Sequence, residues 1–166
     1  MSKRVVVVLA VAIVAIAGWY AFRPERLIID QKVNEQFPTA AAAASNKLAS
    51  GQFHSGAHET KGMAAVFQLE DGKKTLRLTD FATSNGPALR VYLVAADDAK
   101  DNDTVKNAGF LDLGPLKGNI GDQNYDVPAD TDLTKYRAVT IWCKRFSVNF
   151  GTAPLMTDSM QSMNIK

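Results

Sequence analysis

From Val5 to Phe22 the chain carries no charged side chain and almost no polar one, directly after the basic start Met1-Ser2-Lys3-Arg4. Hydrocarbon offers no water to peptide groups, so such a run satisfies its backbone in lipid only as a helix. At about 1.5 Å per residue it is just long enough to cross a bilayer core. Everything after it reads as water-soluble. The expectation is therefore a single-pass membrane protein: residues 1–4 in the cytoplasm, a transmembrane signal anchor over residues 5–22 in contact with membrane lipid, and a soluble domain outside the cytoplasm, periplasmic or extracellular. The competing pattern is a cleaved signal peptide, because Ala15-x-Ala17 before Gly18 has the form of a cleavage site. The apolar run continues past that site through Trp19, Tyr20 and Phe22. Trp and Tyr at that depth suit the interfacial belt of a spanning helix. Arg23 and Pro24 then stop it. Lys3, Arg4 and the free amine favour an N-in, C-out orientation, although Arg23 and Arg26 flank the other end.

Charge and cysteine count narrow the function classes. The 166 residues carry a formal charge of only +2. With no Lys/Arg-rich run, this balance argues for no nucleic acid partner. Cys143 is the single cysteine. An exported chain with one cysteine forms no internal disulfide, so the fold stands on its hydrophobic core. One thiol is left in a compartment that usually oxidises thiols.

Residues 23–48 read as a juxtamembrane segment followed by an Ala-rich linker. Leu27, Ile28, Val33 and Phe37 could lie on the membrane surface as a short amphipathic piece, or dock on the domain. Residues 49–155 form the domain and residues 156–166 a tail. From Gly51 onward, short segments of period two are broken by Gly, Pro, Asn and Asp. This is the texture of an all-β fold, an antiparallel β-sandwich or a barrel, and the sandwich is the expected class. Strands are expected at Met63–Leu69, Lys73–Thr79, Ala88–Ala95, Phe110–Leu113 and Tyr125–Pro128, with Asp71-Gly72 as a hairpin turn. Asp97–Asn107 reads as a polar, acidic loop. Gly114-Pro115 and Gly118-Asn119-Ile120-Gly121 frame a loop with two glycines at which the backbone is expected to need positive φ. Thr131–Tyr136 reads as one helical turn capped by Asp130.

The closing segment, Ala138–Phe150, is the most apolar strand or pair of strands, and it poses a parity problem. Val139, Ile141 and Cys143 share one face of an extended chain, whereas Phe146, Val148 and Phe150 have the opposite parity. A bulge near Lys144-Arg145 would restore a common face. A two-residue turn there is disfavoured, since Lys-Arg lacks the positive-φ preference of hairpin turns. A strand buried on both faces is the third solution.

Three stretches together resemble one family. Gly51-x-Phe53, His58 and Gly62 are followed by Asn85-Gly86-Pro87-Ala88-Leu89-Arg90-Val91-Tyr92-Leu93. Then come the run from Leu113-Gly114-Pro115 to Tyr125-Asp126-Val127-Pro128 and the ending from Tyr136-Arg137-Ala138 through Trp142-Cys143-Lys144 to Gly151-Thr152-Ala153. These stretches are similar to a DM13 domain, over about Gly51 to Leu155, and the anchor resembles that of membrane-tethered bacterial members. The resemblance implies an extracytoplasmic β-sandwich with a proposed role in electron transfer. That role centres on the family's cysteine, as a free thiol or as ligand to a prosthetic group such as haem. The matching position is Cys143.

Cys143 is thus the first candidate residue. A reactive thiolate needs a positive neighbour, and Lys144 and Arg145 would supply one. The opposing reading is a small apolar filler of the core. There is no Cys-x-x-Cys, so any disulfide would be intermolecular or to a small thiol. His54 and His58 stand four apart, and with Cys143 they could ligate a metal or haem iron. Their Gly-rich, β-like surroundings favour solvent-facing or structural histidines, and His58 is the better candidate because it matches the family pattern. No metal site is expected: Asp97, Asp98, Asp101 and Asp103 lack the order of a calcium loop. Asn102-Asp103-Thr104 is a glycosylation sequon, meaningful only in a eukaryotic secretory pathway. Met156, Met160 and Met163 suit a frayed amphipathic tail as well as soft copper. Hydrolase and phosphate-binding motifs are missing. Two functions follow. One is a redox or cofactor-binding module, with Cys143 as redox thiol or axial ligand, His58 as second ligand, and a redox or envelope protein as partner. The other is a non-catalytic binding or scaffold module of the cell envelope. There Cys143 is core, and Trp142, Tyr125 and the Gly118–Gly121 loop are structural or form a contact surface.

Overall fold

The computed structural model describes residues 2–22, 29–37 and 46–157. Leu27, Ile28, Met160 and Met163, and most of the expected linker and tail, lie outside them. Helix α1 runs over Lys3–Phe22. It is long and apolar enough to cross a membrane, and residues 3–20 bury nothing against the domain.

The rest is β1 (Asn46–Gln52), β2 (His54–Ser55), β3 (Thr60–Gln68), β4 (Lys74–Thr83), β5 (Leu89–Val94), α2 (Asn102–Ala108), β6 (Phe110–Pro115), β7 (Gln123–Val127), β8 (Ala138–Cys143) and β9 (Val148–Pro154). They form two antiparallel sheets, of order β1-β3-β4-β7 and β2-β9-β8-β5-β6. The expected sandwich is thus the fold. Period-two alternation builds its core: Ala64, Val66, Leu76 and Leu78 of one sheet face Val91, Leu93, Val139 and Ile141 of the other.

The parity problem has a different answer from the bulge expected at Lys144-Arg145. Residues 144–147 are a four-residue turn joining β8 to β9, with Cys143 paired to Val148. The left-handed position falls on Ser147 (φ 54°), so neither Lys144 nor Arg145 has to adopt it. The irregularity lies further on. Ile141 pairs with Gly151 but Trp142 with Asn149, so Phe150 is the extra residue, and it is buried in the core. β8 itself is buried along its whole length. Val139, Ile141 and Cys143 face the other sheet, while Ala138 and Trp142 face a second cluster with Tyr92, Val94, Ala99 and Val105.

That second cluster accounts for another difference. The stretch read as an acidic loop holds α2, whose N-cap is Asp101 accepting from the Thr104 N–H at 2.7 Å. Val105 is its one buried residue, too little apolar periodicity to betray a helix. In the Thr131–Tyr136 turn the cap is Asp132 rather than Asp130. The Asp132 carboxylate accepts from the Thr134 N–H at 2.8 Å, and its carbonyl accepts from the Tyr136 N–H at 2.9 Å. At the far end, Ser50 and Met156 exchange two backbone hydrogen bonds of 2.9 Å, so Met156 belongs to the domain rather than to a tail.

Of the two juxtamembrane expectations, docking on the domain is the one seen for Val33 and Phe37. Residues 29–37 form a strap along the loop before β7. The N–H groups of Val33 and Glu35 donate to the carbonyls of Ile120 and Asp122, each at 2.9 Å. Phe37 packs edge-on against Phe67 at 4.9 Å. The strap explains the glycines. Gly121 has φ +104°, as expected, but Gly118 shows no positive φ. Gly118 is needed instead for close approach, since a Cβ there would stand 2.5 Å from both the Gln31 carbonyl oxygen and Val33 Cγ2.

Candidate functional site

Strand register brings four connections to one end of the sandwich. Thr60 pairs with Thr83, Arg90 with Pro115, Leu89 with Cys143, and Cys143 with Val148. Residues 56–59, 84–88, 116–122 and 144–147 therefore meet there. Cys143 is the last residue of β8 at this end. It has 0% exposure and lies in the intersheet core, flanked by Leu89 of β5 and Val148 of β9. One residue on, the Lys144 N–H donates to the Ala88 carbonyl at 3.0 Å and closes the ladder. Lys144, Arg145, Phe146 and Ser147 are exposed. Burial and solvent thus meet between two adjacent residues.

A cavity of about 210 Å³ opens beside this boundary, lined among others by Gln31, Pro87, Leu89, Arg90, Leu116 and Lys144. Arg90 is held by both carboxylate oxygens of Asp112, at 2.9 and 2.6 Å. The Lys144 ammonium has no ion-pair partner among the described residues. A free cation therefore stands one residue from the thiol, as the sequence led us to expect, but the thiol is sealed from it.

The two histidines are placed apart in role. His54 Nε2 lies 2.8 Å from Asp98 Oδ1 at the β2 edge. His58 stacks on Phe150, 3.8 Å between centroids and 25° between planes. His58 and Cys143 share this end of the sandwich. Among the described residues no group of three or more His, Cys, Asp or Glu side chains is assembled to hold a metal. The acidic residues of the β5–α2 stretch have other work: Asp97 pairs with Arg137, Asp98 with His54 and Asp103 with Lys106, and Asp101 caps α2.

Haem does not fit Cys143 in this conformation. A ligand to iron must present its sulfur to a pocket, and the Cys143 side chain has no exposed surface. The adjoining cavity, about 210 Å³, falls below the roughly 300–1,000 Å³ of small-molecule sites.

Sequence reading passed over a polar network next to this end. Gln123 is fully buried. Its Oε1 accepts from the Tyr125 hydroxyl at 2.7 Å and from the Lys117 N–H at 3.2 Å, and its Nε2 donates to the Gly118 carbonyl at 2.9 Å. Burial pushes the Tyr125 phenol far above its ordinary value, so it stays a donor throughout the working range. The only sequence signal was a Gln and a Tyr of equal parity in a short strand.

Among known proteins, a model of the family described as "Electron transfer DM13" matches residues 52–155. No curated protein and no solved structure matches the chain. The strap at residues 29–37 lies outside the matched region.

Proposed function

Since the chain belongs to the DM13 family, we propose that it is an electron-transfer module tethered to the membrane by α1, displayed outside the cytoplasm, and centred on Cys143. The observation that carries this reading is the family match over residues 52–155, within which Cys143 is the lone thiol. Its chemistry needs a partner bearing a disulfide. The Cys143 thiolate attacks one sulfur of that disulfide, a mixed disulfide forms, and the other sulfur leaves as thiolate. A second external thiol then resolves the mixed disulfide and restores Cys143, passing an electron pair between partners. Because Cys143 is sealed, the reactive state requires the Ala88–Lys144 closure to open, after which the Lys144 charge favours the thiolate.

A second reading is supported by the 0% exposure of Cys143: a non-catalytic envelope scaffold in which the thiol only fills the core. Reaction of the full chain with a water-soluble disulfide reagent separates the two. Under the redox reading Cys143 reacts without denaturant, at a rate set by local opening, and native membranes hold a mixed disulfide that vanishes in Cys143→Ala. Reaction only along the global unfolding transition, with no such adduct, would leave the scaffold.

A further inference from the structure

The end of the sandwich that carries Cys143 also carries features suited to a lipid surface. Phe146, at the tip of the β8–β9 turn, is 65% exposed, and it follows the exposed cations Lys144 and Arg145 directly. Ile29, first residue of the docked strap, is 60% exposed. These are the two most exposed large apolar side chains of the described residues outside α1. The strap and the turn that carry them reach the same end of the sandwich, because one cavity is lined both by Gln31 of the strap and by Lys144 of the turn. Asp30 pins the same stretch, accepting from Asn85 Nδ2 at 3.1 Å and Asn119 Nδ2 at 2.8 Å.

Chain length adds an independent constraint. Residues 23–28 alone separate the end of α1 from Ile29. A fully extended chain covers about 3.3–3.6 Å per residue, so this end of the sandwich lies within roughly 25 Å of the last residue of α1. The strap then leads away from that end along residues 120–124, which carries the rest of the domain outward.

We propose that the domain sits end-on against the bilayer its own anchor enters, with Phe146 and Ile29 in the interfacial layer and Lys144 and Arg145 on anionic headgroups. An apolar residue beside two cations matches the two attractions of such a surface, apolar burial and charge. The inference rests on α1 being retained as an anchor. It deepens the redox reading by setting the Cys143 end toward the membrane, so that the partner of Cys143 is reached at the lipid surface.

The test uses the full chain in vesicles of phosphatidylcholine and phosphatidylglycerol whose acyl chains are brominated near the headgroup. Tryptophan fluorescence is compared in the wild type, in Phe146→Trp, and in Phe110→Trp at the opposite end of the sandwich, where Phe110 pairs with Val94. The emission of buried Trp142, read from Trp19→Phe, is subtracted from each. The expected result is quenching of Trp19 in all three, and an added emission in Phe146→Trp that is blue-shifted, mostly quenched, and restored by high salt. The added emission of Phe110→Trp stays water-like. Quenching of Trp19 with water-like emission from position 146 overturns the end-on arrangement and leaves the anchor standing. Equal quenching at positions 146 and 110 also overturns it, in favour of a domain lying flat. An unquenched Trp19 overturns the anchor itself, and the arrangement with it.

Discussion

Lys117 Nζ stands 2.8 and 2.9 Å from the two carboxylate oxygens of Glu35, and this pair clasps the N-terminal strap to the sandwich. Glu35 also accepts from the Asn124 N–H at 2.8 Å, and its carbonyl accepts from the Arg77 guanidinium at 3.0 Å. Strap and domain are thus joined by charge as well as by backbone pairing.

The clasp makes docking pH-dependent. Burial raises the Glu35 pKa, but the Lys117 and Asn124 hydrogen bonds and the charges of Lys117 and Arg77 outweigh it and hold the carboxyl below 4.5. A depressed carboxyl stabilises the docked state above its free pKa, and that stabilisation is lost as pH falls through the docked value. Side-chain exposures of 34% and 42% limit the pair to about 1 kcal/mol. Amide-exchange protection of Val33 and Glu35 should fall as pH drops through the depressed pKa of the docked Glu35 carboxyl. The fall should be smaller in Glu35→Gln, which starts from weaker protection.

Gly118→Ala should release the strap while the sandwich stays folded. The new methyl would meet the Gln31 carbonyl and the Val33 side chain, both of which belong to the strap. Limited proteolysis should then cut within residues 29–37, whereas cleavage elsewhere still requires global unfolding. Loss of overall stability should stay near 1–2 kcal/mol, within the ordinary range for one substitution.

Gln123→Leu should cost about 2–4 kcal/mol, because it leaves several buried polar groups without partners at once. The Lys117 and Gly118 N–H groups, the Gly118 carbonyl and the Tyr125 hydroxyl all bond to this amide. Urea denaturation should show a lower midpoint at unchanged slope. Tyr125→Phe removes a hydroxyl that donates to Gln123 and accepts from the Lys117 N–H at 3.1 Å, but that N–H keeps Gln123 Oε1, so the change should cost about 1 kcal/mol.

Cys143→Ser should destabilise more than Cys143→Ala, by about 1–2 kcal/mol, since a hydroxyl in an apolar cluster lacks a partner whereas alanine leaves only a small void. Thermal unfolding of both variants beside the wild type measures the difference. Equal stability would mean that water reaches position 143 in the native state, contrary to its burial.

Legibility differed by kind of feature. Leu76 and Leu78 announced their strand by alternation, and both are fully buried. Helix α1 was readable from apolar length alone. Helix α2 was not, because its one buried residue, Val105, draws its reason from Trp142 and Tyr92 on the sheet beneath it. The parity clash around Cys143 was visible as a clash, but its resolution required Phe150 to be extra on a neighbouring strand. Cys143 and His58 were nameable from the resemblance. The burial of one and the stacking of the other on Phe150 depend on residues far along the chain.

The amino-acid order alone determined the apolar leader, the period-two strands, the need for a core without disulfides and the lone thiol. These are local or compositional properties, set by backbone geometry and by solvent partition. Only tertiary structure decided that Leu89 and Val148 flank Cys143, and that Gln31 of the strap and Lys144 of the β8–β9 turn share one cavity. A one-dimensional pattern says which face of a strand seeks burial. Which neighbour supplies that burial is a property of sheet order and register, and these emerge only when distant segments pair.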